Sequence, residues 1–130
     1  MGRSNIVRPA LSIWETIIHE GQNDPNGLDP HTPGAKLDDG KLKAGVLLDF
    51  SRALRLVALV GTYGARKYSR GGWQYVENGI ERYTDAMMRH MLLMPYEERD
   101  IESGLPHLAH FVWNALAILE LTARVEGYGE

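Results

Sequence analysis

Between Glu102 and Leu121 the chain reads ESGLPHLAHFVWNALAILEL, a nearly continuous apolar run broken by a few polar residues. His107, His110 and Asn114 are spaced i, i+3, i+7, so a helix would carry them along one face. Pro106 suits a first helical turn, where its missing N–H costs nothing, and Glu102 stands at the helix entrance. A helix this apolar belongs in an interior, and polar groups taken there need partners. The segment therefore demands a helical core with polar chemistry inside it. A metal, a phosphate or other side chains could each satisfy that demand.

The length of 130 residues predicts a single domain, 1–130, able to bury a core without staples. With no cysteine, neither a disulfide framework nor a thiolate metal site is available. A formal charge of −3 argues against a role in coating nucleic acid, though it leaves room for a local basic pocket. No apolar run is expected to span a membrane, and the N-terminus lacks a signal-peptide core, so a cytoplasmic location is the default expectation.

Ser12 and Glu15 have capping-box spacing, and Gly21 is a stop, which predicts a short helix over residues 12–20. Residues 21–44 then carry DPNG, DPHTPG and DDGK, which is turn chemistry. Connections this long are usually lids, binding loops or disordered segments. Phe50, Leu54, Val57 and Val60 recur at helical spacing within 46–67. A third helix is expected over 79–94, stopping at Pro95, with Ile80, Tyr83, Met87, Met91 and Met94 as its apolar face. The last is expected over 105–125. No alternation suggests strands, so the pattern predicts an all-α bundle of about four helices with a long N-terminal loop.

Several residues carry chemistry, each with a plainer alternative. His90 falls near the apolar face of the third helix, flanked by Asp85 and Arg89 at i, i+4 spacing. They would form a surface ion pair beside a core histidine, or else project toward the polar stripe with Arg89 offering charge to a phosphate. Glu97, Glu98, Asp100 and Glu102 crowd into the connection before the last helix. Such a run is ordinarily solvated, yet oxygen donors next to His107 and His110 suit a divalent ion, and Glu102 alone could serve the helix dipole. Lys36 and Lys41 flank Asp38-Asp39-Gly40 and could close over a triphosphate or be ordinary loop residues. Tyr68 and Trp73 could stack a base or pack a core. There is no P-loop, G-x-S-x-G or G-x-G-x-x-G.

KLDDGK, GTYGARKY, a tryptophan five residues on, ERYTDAMMRH and then D-x-ESGLPHLAHFVWNALAILEL occur in one order at compact spacing. From Lys36 to Leu121 the chain thereby resembles the dATP/dGTP diphosphohydrolases of phages and bacteria, within the MazG-like nucleotide pyrophosphohydrolases. The resemblance implies a MazG-like, all-α helical bundle. It also implies cleavage of a purine deoxynucleoside triphosphate to monophosphate and pyrophosphate, in phage nucleotide-pool control or 2-aminoadenine DNA metabolism. It implies two or more Mg²⁺ or Mn²⁺ ions, with Asp85, Glu98, Asp100, Glu102, His107 and His110 as candidate ligands and Glu102 or His107 as base. Lys36, Asp38, Lys41, Lys67, Tyr68, Trp73, Arg89, His90 and Asn114 become candidate substrate contacts. Self-association to a homodimer or homotetramer is expected, with no nucleic-acid or membrane partner. The E-E-x-x-E and E-x-x-D runs of general MazG-like proteins do not stand intact; His107-Leu-Ala-His110 occupies the place of the second. The alternatives are a histidine–aspartate phosphohydrolase, whose adjacent His-Asp pair is missing here, and a non-catalytic nucleotide-binding module.

Overall fold

The structure is a computed structural model and describes residues 22–128. The helix expected over residues 12–20 lies outside the described residues. The described part holds three α-helices: α1 (Ser51–Lys67), α2 (Gly79–Leu93) and α3 (His107–Glu126). Two 3-10 turns, Ala44–Phe50 and Gly72–Tyr75, accompany them, and no strand is present among the described residues. The fold is all-α. The chain divides between Val46 and Leu47 into two compact units.

In the first unit, residues 22–43 form turns without a regular element. Their organiser is Asp24, 7% exposed. Its Oδ1 accepts from the amides of Asn26 at 2.7 Å and Leu28 at 3.3 Å, and its Oδ2 accepts from the Lys36 amide at 2.8 Å. The Asp39 amide donates to the Asn23 carbonyl at 3.0 Å. One carboxylate thus satisfies three backbone donors that a turn-rich segment cannot pair among themselves.

In the second unit, α3 packs along both α1 and α2. The helical periodicity expected from Val46 holds only from Ser51; the residues before it wind as the tighter 3-10 turn. Arg66 and Lys67 close α1, where positive charge complements the helix dipole. Val57 and Val60 are buried on α1, and Ala109 and Ala117 are buried on α3, the helix that α1 packs against. Gly61 allows close approach: a Cβ there would stand 3.2 Å from Trp113 Nε1. Pro106 is the N-cap of α3 rather than a residue of its first turn, and its carbonyl accepts from Ala109 and His110. Gly127, at φ 73°, closes the helix in the left-handed conformation that glycine adopts most readily.

Two expectations change. On α2 Tyr83, Met87 and His90 are half-buried, as is Met94 just beyond its end, while Ile80 and Met91 are exposed. By length and composition alone α3 is sufficient to cross a membrane, with mean hydropathy 1.2, contrary to the sequence expectation that no run would be. Its polar stripe is nevertheless turned into the unit: His107, His110 and Asn114 are all buried.

Candidate functional site

The acidic connection between α2 and α3 is a shaped turn. An isolated antiparallel bridge joins Arg99 to Pro106, the Asp100 amide donates to the Leu105 carbonyl at 2.9 Å, and the Gly104 amide donates back to Asp100 at 2.8 Å. Gly104 sits at φ 73°, a conformation glycine allows and other residues resist. The turn aims Asp100 toward the helices. The Ser103 amide donates to Asp100 Oδ2 at 2.8 Å.

Three histidines converge there. His90 Nδ1, from the last turn of α2, lies 2.9 Å from His107 Nδ1, from the first turn of α3. His107 is 1% exposed, and its Nε2 lies 2.9 Å from Glu97 Oε2. The His110 ring stacks on that of His90, with centroids 4.3 Å apart and planes 6° from parallel. Its Nε2 is 2.6 Å from Ser103 Oγ and 3.7 Å from Asp100 Oδ2. The edge of Tyr63 meets the same ring.

Burial lowers the pKa of His90, and the neighbouring His110 adds to the effect. Burial also lowers His110, against the pull of Asp100. For Asp100, burial favours the neutral acid, but the Ser103 hydrogen bonds and the adjacent imidazoles outweigh it and hold the carboxyl below its ordinary range. The cluster is therefore two neutral imidazoles stacked beside an ionised carboxylate. Donor atoms of His90, Asp100 and His107 lie within 4.8 Å of one another. A mixed nitrogen and oxygen set of this kind fits a divalent ion of the manganese and first-row transition series better than magnesium, which prefers oxygen alone.

A second group sits beside it. Glu102, in the turn before α3, pairs with Lys67 at the end of α1. Lys67 holds the Glu102 carboxyl below its ordinary range, and the Tyr63 hydroxyl contributes next. The hydrogen bond to Glu102 raises the Lys67 ammonium, and Tyr68 adds to it. The Lys67 ammonium also stands over both rings, 5.3 Å from the Tyr68 centroid and 5.9 Å from that of Tyr63.

Other sequence candidates are placed differently. Asp85 and Glu98 are exposed and lie outside the three-residue donor group. Asp85 and Arg89 form no ion pair within 4 Å among the described residues, and Arg89 is exposed. Asn114 is buried and its Nδ2 donates to the His110 carbonyl at 2.8 Å. Trp73 packs edge-on against Tyr83 and Trp113, accepts from the Tyr83 hydroxyl through its carbonyl at 2.7 Å, and lies under the Arg124 guanidinium. These commitments suit core packing. Lys36, Asp38 and Lys41 belong to the first unit. His90, a candidate substrate contact, projects toward the polar stripe of α3 and meets His107 there. Glu97 stood only within the acidic run, and Ser103 and Tyr63 carried no expected role; Tyr63 lies three residues after buried Val60 on α1, a spacing that could have pointed to it.

A family model described as dATP/dGTP diphosphohydrolase, N-terminal, matches residues 31–129. No curated protein and no solved structure matches the chain.

Proposed function

The chain belongs to the dATP/dGTP diphosphohydrolase family, and on that premise we propose that it is a metal-dependent pyrophosphohydrolase converting dATP or dGTP to the monophosphate and pyrophosphate. The observation that carries the metal dependence is the convergence of half-buried His90 and Asp100 on buried His107.

In the proposed reaction a water oxygen bonds to the α-phosphorus. The bond from that phosphorus to the α,β-bridging oxygen breaks, and its electron pair leaves on pyrophosphate. The proton of the water passes to a base on the protein. When bound, a divalent ion offsets phosphate charge and acidifies water. Asp100, His90 and His107 would hold it.

His107 suits holding and orienting more than proton transfer, because both ring nitrogens are engaged and the ring is closed to solvent. Glu102 is exposed and ionised, and is the base we assign. A base works best with a pKa near the working pH, whereas Lys67 holds Glu102 low. A triphosphate that recruits Lys67 would remove the largest of those causes and leave Glu102 more basic. Lys67 thereby serves twice, as phosphate clamp and as the group that keeps the base quiet before substrate arrives.

The test is product analysis. The protein is incubated separately with dATP, dGTP, dCTP and dTTP, with Mn²⁺ and then Mg²⁺, and nucleotides are resolved by chromatography. Monophosphate with pyrophosphate from the purines is expected; no pyrophosphate from either purine would sink the proposal. Glu102→Gln is expected to lower kcat by ~10²-fold or more, the scale of a lost general base, while KM stays close to that of the parent.

We further propose that a second copy of the chain covers apolar surface left open on the helices, as a homodimer or homotetramer. Leu108, Val112, Leu116 and Leu119 on α3, and Met88, Met91 and Leu92 on α2, are exposed in the single chain. Methionines adapt readily to irregular partner surfaces.

A further inference from the structure

Glu97 lies outside both helices, in the connection after α2, yet its carboxylate reaches the most deeply buried side chain of the second unit. A carboxylate oxygen can only accept, so His107 Nε2 must carry the proton of that contact. In the tautomer with that proton on Nε2, the ring's lone pair is at Nδ1. That lone pair points at His90 Nδ1, 2.9 Å away. Two imidazole nitrogens bound side by side to one ion, each at about 2.1 Å, stand about 3 Å apart. A carboxylate oxygen of Asp100 lies within 4.8 Å of a donor nitrogen of each histidine, and the ring of His110 stacked on His90 fixes that ligand's plane. The orientation is the one seen when a carboxylate behind a histidine sets its tautomer and strengthens it as a ligand.

We propose that His90, Asp100 and His107 form a single-ion site selective for a first-row transition ion of the Mn²⁺ or Co²⁺ class over Mg²⁺, and that Glu97 is its positioning residue. The inference rests on the metal-dependent reading above and deepens it by fixing the ion class, the nitrogen donors and the residue behind them. Two imidazoles in a set of three protein donors penalise Mg²⁺, which keeps its waters and takes oxygen ligands. Glu97 touches no ion. It acts through His107 by holding Nδ1 free of a proton.

The experiment is metal binding to the full chain stripped of ions, read without turnover. Calorimetry with Mn²⁺ and Mg²⁺ and visible absorption with Co²⁺ should give one ion per chain, with Mn²⁺ at least ~100-fold tighter than Mg²⁺, as expected where nitrogen donors discriminate. Glu97→Ala should weaken Mn²⁺ by ~10- to 100-fold and shift the His107 ring-nitrogen NMR signals away from the Nε2–H form. Glu98→Ala should change neither. His90→Ala should remove the Co²⁺ bands, with helicity by circular dichroism showing that the variant remains folded. Equal affinity for Mn²⁺ and Mg²⁺, or unchanged Mn²⁺ binding in either Glu97→Ala or His90→Ala, would overturn the proposal. If the His90→Ala variant unfolds, His90→Gln, which keeps side-chain volume and removes the imidazole, supplies the same comparison. Selective one-ion binding without turnover of dATP or dGTP would uphold the site and reject the hydrolase reading. Purine turnover supported equally by Mg²⁺ in His90→Ala would do the reverse.

Discussion

Asp24 shows how much one side chain can organise. Its pKa is lowered, chiefly by the Lys36 amide, with the amides of Asn26 and Leu28 assisting against the cost of burial. Because the folded value lies below the ordinary 3.8, its stabilising contribution is full above 3.8 and is lost as pH falls through the folded value. The Lys36 amide proton should therefore shift in an NMR titration at a pH below 3.8, and the turns of residues 23–39 should loosen with it. Asp24→Asn keeps an acceptor for Asn26 and Leu28 but sets an amide NH₂ against the Lys36 N–H, so amide exchange at Lys36 should quicken selectively. Uniform exchange across the loop would contradict this assignment. In the second unit, Lys67 is the residue whose removal should be felt by substrate. Lys67→Ala is expected to raise KM for the purine triphosphate about tenfold, the loss of one charge-assisted phosphate contact of roughly 1.4 kcal/mol. An unchanged KM would remove Lys67 from the phosphate-binding group.

Within α1, two glycines three residues apart have opposite roles. Gly61 is needed because Trp113 comes close, and Trp113 cannot retreat far between Trp73 and Tyr83. Gly64 has open space where a Cβ would go. Alanine is favoured over glycine inside a helix by up to about 1 kcal/mol, so Gly64→Ala should stabilise the protein by that order. Gly61→Ala gains the same propensity but must displace an indole, and overpacking costs ~1–3 kcal/mol. It should therefore be neutral to destabilising. Denaturant unfolding of both variants checks the pair; equal stabilisation would mean that α1 and α3 do not need this close approach. The polar stripe of α3 has its own economy. His107, His110 and Asn114 each find a partner within the unit, which lets an otherwise apolar helix carry three polar side chains in its buried face.

For the molecule as a whole, the described residues bury few large apolar side chains and expose many. Val57, Val60, Ala109 and Ala117 are the buried hydrophobics, all of modest size, whereas leucines and methionines of α2 and α3 remain open. Exposed apolar residues arranged along a helix, at the 4, 4, 3 spacing of Leu108, Val112, Leu116 and Leu119, form a continuous stripe. Light scattering should accordingly return the mass of a dimer or tetramer at micromolar concentration. Leu116→Glu, placing a charge in the middle of the stripe, should shift that mass toward the single chain. A parent that is a monomer throughout would refute self-association.

Much of the fold was legible because helical period is a local property. The apolar spacing of α1 and α2 and the i, i+3, i+7 placement of His107, His110 and Asn114 needed nothing beyond their own segments, and all three polar residues do face inward. The all-α class followed from the same patterns, and the ordered motifs identified the family. What sequence could not settle was which polar atoms meet. Glu97 and Glu98 are neighbours in one acidic run, yet Glu97 reaches His107 and Glu98 stays exposed. Asp85 and His90 share a helix, but five residues at about 100° each put them on different faces, and only His90 meets α3. The pairing of Lys67 with Glu102 joins the end of α1 to a turn thirty-five positions later. Residues outside a helix have no period to fix their direction. Their aim is decided by the turn at Gly104, the bridge from Arg99 to Pro106 and the packing of α2 on α3, and those exist only once the chain has folded.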